Sequence, residues 1–278
     1  MKKIKILILL GILSLILIYF SLNIFFDFEQ KEDSLNFLCQ KEKENNIEEK
    51  GFFSDKIKVK KYLSDKYPEI KCAKILYETK DPETLKTFTF PKKFVMKSSS
   101  GARMFHLGNE NDKIEDLIKK AKYFLSIKFS SYGYRSVPFL ELKEPHYDYN
   151  DPKIFIEEFI EDIFEFRIMM AKGKIIYCEK IDGSTEVYDY KWEQLKDPIK
   201  NYISAPKVKE KPACFEDIVN FCNDFYKEKK FDLMRLDFYI TKDQRNFYFG
   251  EVTFTPDNCR KKYSEEFNNR YSRIMYKT

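Results

Sequence analysis

The chain has 278 residues, of which 43% are hydrophobic and 17% aromatic, enough apolar material for one large core or two modest ones. Fifty basic and 45 acidic residues leave a net charge of only +5. Because no basic block concentrates this weak bias, the composition argues against a nucleic-acid-binding protein.

Cysteine and histidine usage narrows the chemistry further. The six cysteines contain no Cys-x-x-Cys pair, so a zinc site is not expected. Scattered cysteines in a chain of this length are typical of a reduced protein that faces the cytosol. The only histidines are His106 and His146, so a His-based metal site or catalytic triad is not expected either.

The N-terminus carries an apolar run, residues 6–26, with no charged residue. Its length matches the ~20 residues that cross a bilayer. A short basic segment, residues 1–5, precedes it, and no small-residue cleavage site follows it, which favours a retained transmembrane helix over a signal peptide. Lysines lie on both sides of the run. The lysines at residues 1–5 favour a cytoplasmic N-terminus, which would export the domain that follows the transmembrane segment. The cysteine pattern favours a domain that faces the cytoplasm, and we expect this orientation.

Residues 27–50 are charged and poor in apolar positions, which predicts a solvated linker or a short exposed helix, with a folded domain over residues 51–278. Within that domain, apolar periodicity and turn residues predict helices and strands. The predicted helices are 56–67, 114–127, 215–226 and 264–275. The predicted strands are 94–96, 154–160, 165–170, 175–177, 235–240 and 247–256. Mixed elements with prominent antiparallel hairpins favour an α+β fold.

The last two strands form the most informative stretch, a hairpin that reads RLDFYI at residues 235–240 and FYFGEVTFTP at residues 247–256. Side chains alternate along a strand, so Arg235, Asp237 and Tyr239 share one face. The same alternation predicts a common face for a second set: Glu251, Thr253, Phe247 and Phe249.

Symmetry of this hairpin about Gln244 would place Asp237 directly opposite Glu251. Like charges in that arrangement are destabilising. A divalent cation such as Mg²⁺, held by both carboxylates, would compensate for the repulsion. Arg235 could instead bridge the two acids without a metal, and the hairpin alone leaves both interpretations open.

Three other polar patterns have a functional and an ordinary interpretation. The loop Ser98, Ser99, Ser100 and Gly101, preceded by Lys97, could cradle phosphate oxygens, although its spacing is not that of a Walker A loop and it could be a simple turn.

On the strand at 154–160, Glu157 and Glu158 occupy opposite faces, so at most one of them is buried. Either carboxylate could lie on a solvated face or accept the amino group of an adenine. Glu165 and Arg167 share a face, either as a surface ion pair or as contacts to ribose and phosphate.

Taken in order, these pieces resemble the ATP-grasp superfamily, and within it the TupA-like branch associated with teichuronopeptide and other cell-surface polysaccharide synthesis. The matching runs are residues 54–62, 93–97, 156–160, 235–239 and 248–256. The last run, combined with RLD at 235–237, is the most specific. The resemblance implies an ATP-grasp fold in which two α+β subdomains clamp ATP.

By position, the resemblance also implies roles for individual residues. Lys56 and Lys97 would contact phosphates, and residues 98–102 would form a mobile phosphate loop. Glu157 would meet the adenine amino group, with backbone contacts from Phe159 and Ile160.

The resemblance further implies that Glu165, with Arg167 beside it, contacts the ribose and phosphate. Asp237 and Glu251 would hold Mg²⁺, and Arg235 would stabilise the transferring phosphoryl group or the acyl phosphate.

The chain departs from its relatives at several of these positions. Ser99 and Ser100 stand where relatives have Asn and His, and Asp257 stands where they usually have Gly. Many ATP-grasp enzymes have a metal-binding Asn at the position of Thr253, although the TupA-like branch has Thr. These changes leave a weakened or altered activity open.

The resulting hypothesis is an ATP-dependent carboxylate–amine ligase that acts through an acyl phosphate. Its partners would be a polysaccharide or lipid-linked sugar acid, an amine donor, and the membrane through residues 6–26, with no nucleic acid. A kinase of a sugar or hydroxyl acceptor and a degenerate membrane-anchored scaffold are the alternatives.

Overall fold

The computed structural model describes Ser14 and residues 34–127, 144–196, 198–199 and 210–276. The helices are α1 (Leu35–Glu42), α2 (Ile47–Ser54), α3 (Lys56–Lys66), α4 (Ile114–Leu125), α5 (Phe215–Lys229) and α6 (Glu265–Tyr276). The strands are β1 (Ile75–Thr79), β2 (Lys93–Ser98), β3 (Phe105–Asn109), β4 (Ile154–Glu158), β5 (Ile163–Ala171), β6 (Lys174–Asp182), β7 (Ser184–Tyr188), β8 (Leu233–Thr241) and β9 (Phe247–Thr253). Short 3₁₀ turns cover Pro82–Thr87, Pro145–Tyr149 and Pro256–Cys259.

The strands form two sheets, and every neighbouring pair is antiparallel. The small sheet has the order β1-β4-β2-β3, and the large sheet has the order β7-β6-β5-β8-β9. The α+β class predicted from the hairpins is therefore confirmed. The predicted helices and strands are present, with ends that differ by a few residues.

Each sheet has one apolar face. In the small sheet, Phe94, Met96 and Ile156 pack against Leu117 and Ile118 of α4. Since side chains alternate along β2 and β4, Lys97 and Glu157 lie on the opposite face.

In the large sheet, Phe166, Leu236 and Phe238 pack against Phe221 and Phe225 of α5. The other face is apolar only at one end, where α1 and α6 cover it. The remainder of that face carries charged residues.

The charged stretch before residue 51 is helical where the structure describes it. Of the two alternatives predicted, the solvated linker is wrong for residues 34–50, and a short helix is present but is not fully exposed. Leu35, Leu38 and Cys39 form one stripe of α1 and are buried in the core beneath the large sheet. Helix α2 runs through Gly51, the predicted boundary. A Cβ at Gly51 would lie 2.8 Å from the carbonyl oxygen of His146, so this glycine permits close packing between α2 and the 145–149 turn.

Two cysteines are paired, and the expectation of a fully reduced chain is wrong. Cys39 in α1 and Cys259 in the last 3₁₀ turn form a disulfide, with Cα atoms 5.4 Å apart. The pair is 220 residues apart in sequence, so spacing alone gave no sign of it. Cys72, Cys178, Cys214 and Cys222 are free.

The predicted transmembrane segment at residues 6–26 lies, apart from Ser14, outside the described residues. Within the described ranges, no helix combines the length and the apolar character that a membrane crossing requires.

Candidate active site

A row of four charged side chains crosses the large sheet on the face not covered by α5. Strand pairing aligns Glu179 with Arg167, Arg167 with Asp237, and Asp237 with Glu251. We call these four residues the charged row. Its last pair is the one predicted from hairpin symmetry, so the register at Asp237 and Glu251 is confirmed.

The hairpin departs from ideal alternation one residue before Glu251. The register shifts between Asp237 and Phe238, so Phe238 pairs with Phe249. Phe249 therefore packs in the core beneath α5. Alternation had predicted that it shares a face with Glu251, and that prediction is wrong. Phe247, which pairs with Ile240, lies on that core side too. Gly250 permits this bulge, because a Cβ there would lie 2.9 Å from the carbonyl oxygen of Asp237.

Arg235 binds one of the two opposed acids and does not bridge them. Its Nε donates to Oδ1 of Asp237 and its Nη2 to Oδ2, both at 2.7 Å. Nη2 also donates to the Thr253 hydroxyl at 3.3 Å. Burial raises the pKa of Asp237, and the guanidinium groups of Arg235 and Arg167, the latter 3.9 Å away, do not fully offset it. Asp237 is thus a buried carboxyl whose pKa stays above its usual value.

Glu251 has a different cation. Lys56 is the first residue of α3, and its Nζ lies 3.2 Å from Oε2 of Glu251 while donating to the Gly101 carbonyl at 2.8 Å. Burial raises the pKa of Glu251, but Lys56 and Arg235 outweigh it, so the pKa lies below its usual value. Its side chain is 31% exposed against 4% for Asp237, so Glu251 is the more accessible acid.

The other half of the charged row forms a buried ion network. Nε of Arg167 donates to Oε1 of Glu165 at 2.8 Å, and its Nη1 lies 3.8 Å from Oε2 of Glu179. The fully buried Glu179 also pairs with Lys261, which lies 3.6 Å from Asp257. Glu165 and Arg167 are therefore not an isolated surface pair. Sequence reasoning missed Glu179 and Lys261, since nothing local distinguishes them from solvated charges.

Lys97 and Glu157 face this row from the small sheet. Nζ of Lys97 lies 2.5 Å from Oε1 of Glu157 and 5.6 Å from the centre of the Tyr239 ring on β8. The other oxygen of Glu157 pairs with Lys60 of α3, which sequence reasoning also missed. Burial raises the pKa of Glu157, but the two lysines lower it below its usual value. Glu157 is thus a buried counter-ion for two lysines, and its predicted contact with adenine stays a prediction.

The predicted phosphate loop is folded inward. The Ser99 hydroxyl donates to Oδ2 of Asp55 at 2.9 Å, and the Ser100 hydroxyl donates to the Tyr147 carbonyl at 3.0 Å. Ser98 is fully buried, and its hydroxyl has no partner within the described residues. Gly101 has φ of 101°, a conformation that glycine adopts without strain. In this arrangement Lys56 and Lys97 are better placed than the serine hydroxyls to meet a phosphate.

Phe159 and Ile160 lie in the connector between β4 of the small sheet and β5 of the large sheet. Both are partly buried. Because they link the two sheets, their backbone groups lie at the junction where the predicted adenine contacts require them, and that role stays a prediction.

The residues of the hairpin fit a hard cation. Asp237 and Glu251 supply carboxylate oxygens from adjacent strands, and Mg²⁺ commonly binds one or two carboxylates together with substrate phosphates. Among the described residues, no group of three or more His, Cys, Asp or Glu side chains could hold a metal. Any cation here would therefore depend on ligand oxygens as well as on these two acids.

These features define the class of protein. Two antiparallel sheets with flanking helices form an ATP-grasp fold. Lys97 lies on the small sheet, and the opposed carboxylates of Asp237 and Glu251 lie on the large sheet. The family model described as TupA-like ATPgrasp matches residues 33–275, so the chain belongs to that family. The resemblance inferred from the motifs is confirmed.

One solved structure agrees with this assignment at the level of the fold, and two others are reported as more distant similarities. A D-alanine–D-alanine ligase from Helicobacter pylori is 17% identical with a TM-score of 0.52, covering 80% of this chain and 61% of that one. A D-alanine–D-alanine ligase from Bacillus anthracis is 18% identical (TM-score 0.42, 73% and 56% covered). An L-amino acid ligase from Bacillus licheniformis is 15% identical (TM-score 0.45, 72% and 42% covered). The chain thus spans less than two thirds of these proteins. No curated protein sequence gives a significant match.

Proposed function

We propose that this protein is an ATP-dependent carboxylate–amine ligase that works through an acyl phosphate. The observation that carries the proposal is the facing arrangement of Asp237, Glu251 and Arg235 on the large sheet and Lys56 and Lys97 on the other side. This arrangement supports phosphate binding by the two lysines and cation binding by the two carboxylates. Transfer of a phosphoryl group needs mainly positioning and charge neutralisation, which such an arrangement provides.

In the first step, an oxygen of the substrate carboxylate attacks the γ-phosphorus of ATP, and the bond to the bridging oxygen of ADP breaks. In the second, the amine nitrogen attacks the acyl carbon, phosphate leaves with the bonding electrons, and the nitrogen loses a proton. Mg²⁺, held by Asp237 and Glu251, would neutralise charge on the phosphates. In this proposal Lys56 and Lys97 hold phosphate oxygens, and Arg235 stabilises the charge that develops on the transferring group.

The finer part of the proposal concerns the setting. The family resemblance to TupA-like proteins supports a cell-surface polysaccharide, or its lipid-linked precursor, as the carboxylate substrate. The apolar run at residues 6–26 supports a membrane anchor. The disulfide between Cys39 and Cys259 removes the cysteine argument for a cytoplasmic domain. We still propose that the catalytic domain faces the cytoplasm, and this proposal depends only on the need for ATP, a cytosolic substrate.

Hydroxylamine provides the test, because it traps acyl phosphates as hydroxamates without knowledge of the natural amine. The purified full-length chain is incubated with ATP, Mg²⁺, hydroxylamine and a panel of uronic acids and amino acids. We expect hydroxamate and ADP in equal amounts with at least one carboxylate, and neither product without Mg²⁺.

Two other results would replace the proposal. ADP with a stable phosphorylated sugar and no hydroxamate would indicate a kinase. No ADP, together with no calorimetric binding of ATP, would indicate a scaffold. Cleavage of the domain by external protease in intact spheroplasts would contradict the cytoplasmic placement.

A further inference from the structure

Glu144 lies beside the charged row without belonging to it. It immediately precedes the 3₁₀ turn Pro145–Tyr149, and its Oε1 accepts a hydrogen bond from the Thr255 hydroxyl at 2.5 Å. Thr255 is only 1% exposed and follows β9, four residues after Glu251. The pair therefore joins the turn to the end of the strand that carries the proposed metal ligand.

The 145–149 turn faces the row directly. The phenol of Tyr147, within this turn, interacts electrostatically with Glu144, Glu251, Arg235 and Asp237. Glu144 itself interacts with Lys43, Glu251 and Lys56. These interactions come from the end of α1, from β9 and from the start of α3, and they place the carboxylate beside the pair formed by Lys56 and Glu251.

Glu144 differs from the other acids of the site in its partner. Five of them have a cation within ion-pair distance: Glu157 with Lys97, Glu165 with Arg167, Glu179 with Lys261, Asp237 with Arg235, and Glu251 with Lys56. Asp55 accepts three hydrogen bonds, from the Ser99 hydroxyl and from two backbone N–H groups that it caps. Among the described residues, Glu144 accepts a hydrogen bond from one neutral hydroxyl, so its carboxylate is the least committed of these acids.

The chemistry of the second step requires such a group. An amine attacks an acyl phosphate only in its neutral form, and the nitrogen must lose one more proton as the amide forms. His146 is not suited to accept it, because burial and the nearby Lys50 and Lys43 lower its pKa to about 3. A carboxylate within reach of both the ammonium form and the reacting carbon would serve.

From this geometry we propose that Glu144 binds the incoming amine as its ammonium ion and accepts the first of the two protons that the nitrogen loses, with Thr255 as the positioning residue. The inference rests on the proposed ligase activity. The ammonium gives one proton to the Glu144 carboxylate, and the neutral nitrogen then forms the N–C bond as the C–O bond to phosphate breaks. Phosphate carries away the electron pair and takes the second proton from nitrogen. Burial raises the pKa of this carboxyl, more than Thr255 and Lys43 lower it, which makes it a better proton acceptor.

The test compares hydroxylamine with two more basic amines, ethylamine and glycine amide, and measures the hydroxamate or amide that each one forms. Hydroxylamine is largely neutral near pH 7 and needs little help from a base, whereas ethylamine and the α-amino group of glycine amide are largely protonated. For Glu144→Gln we expect the rate with the better basic amine to fall about 10²–10⁴-fold, the usual size of a general-base effect, and the rate with hydroxylamine to fall far less. The lost rate should return in part as pH rises, because the solvent then removes the proton.

Further variants separate catalysis from folding. Glu144→Asp should recover part of the rate, and Thr255→Val should show a weaker version of the same amine selectivity. Glu161→Gln, an exposed acid paired with Lys93, is the matched control and should behave as wild type. Calorimetry should show similar Mg²⁺-dependent ATP binding in wild type and Glu144→Gln.

The outcomes for Glu144 and for the ligase activity are distinct. A wild-type chain that forms no hydroxamate with any carboxylate overturns the ligase itself. A wild-type chain that does form hydroxamate overturns only the role of Glu144 in two cases: if Glu144→Gln loses or keeps both amine rates equally, or if wild type uses hydroxylamine and no basic amine.

Discussion

In the small sheet, one buried acid, Glu157, contacts two lysines, whereas in the large sheet two acids oppose each other. Glu251 contacts Lys56, and Asp237 contacts Arg235, with Arg167 3.9 Å away. The first arrangement leaves an excess of positive charge on its side of the cleft. The second brings two carboxylates to adjacent positions. A ligand that carries both phosphates and a divalent cation satisfies both sides at once, which neither sheet does for the other.

The small sheet should be the more sensitive of the two in stability. Glu157→Gln leaves Lys60 and Lys97 buried near each other without a counter-ion. Removing one partner of a buried ion pair typically costs about 3 to 5 kcal/mol, and we expect the free energy of unfolding to fall by that amount. Urea denaturation at pH 7 measures it.

Glu158→Gln is the matched control, because the same change one residue along β4 affects a carboxylate that accepts a hydrogen bond from the Lys74 backbone. A loss of stability that is equal in the two variants would contradict the counter-ion role of Glu157.

The large sheet should be the more sensitive in activity. Asp237→Asn and Glu251→Gln each remove negative charge where the cation would bind. We expect hydroxamate formation to fall at least about a hundredfold, the usual effect of removing one electrostatic contact to the transferring group. Calorimetry should show that Mg²⁺ no longer strengthens ATP binding.

Asp243→Asn makes the same change in the exposed loop of this hairpin and should leave both quantities unchanged. Full activity in both site variants would falsify the metal assignment.

His146 is a buried titratable group that belongs to neither arrangement, and within the described residues neither of its ring nitrogens has a hydrogen-bond partner. Burial, then Lys50 and Lys43, lower its pKa from 6.5 to about 3, so the folded state holds it neutral. Between these values the unfolded chain binds a proton that the folded chain does not. Stability is therefore complete above pH 6.5 and falls by about 1.4 kcal/mol per pH unit as the solution is acidified.

Unfolding by urea at pH 7, 6 and 5 measures this dependence. His146→Phe should flatten it, since the ring already packs 4.2 Å from Tyr147 and 5.9 Å from Phe254 between centroids. His106→Gln is the control, and it should keep the slope, because that ring is bonded to Asp112 on a partly exposed surface. An unchanged slope in His146→Phe would show that other groups cause it.

The parts of this molecule that local pattern determines were predictable from the sequence. Alternation along β8 and the position of the turn were enough to place Asp237 opposite Glu251. The bulge at Gly250 was not predictable from alternation, because it depends on how closely β8 and β9 approach.

Non-local partners were also beyond the sequence. A buried lysine such as Lys60 or Lys261 has the same local pattern as a solvated one, since its burial depends on an acid from a distant strand. The same holds for Glu144, because its proposed role depends on its contacts with Thr255 and Glu251, which are more than a hundred residues away in the chain. The solvated linker predicted before Gly51 was wrong for the same reason: among the described residues its three buried apolar residues are few, but they form one stripe of α1.

The disulfide between Cys39 and Cys259 has a mechanical consequence. It encloses both sheets and the whole charged row in one covalent ring with a sequence separation of 220 residues. If the chain is pulled at its two ends, tension passes from residue 39 to residue 259 through the sulfur atoms and bypasses the ring. A force experiment should therefore extend only the terminal segments while the disulfide is intact. After a reductant breaks it, the measured contour length should increase by that of the residues between Cys39 and Cys259.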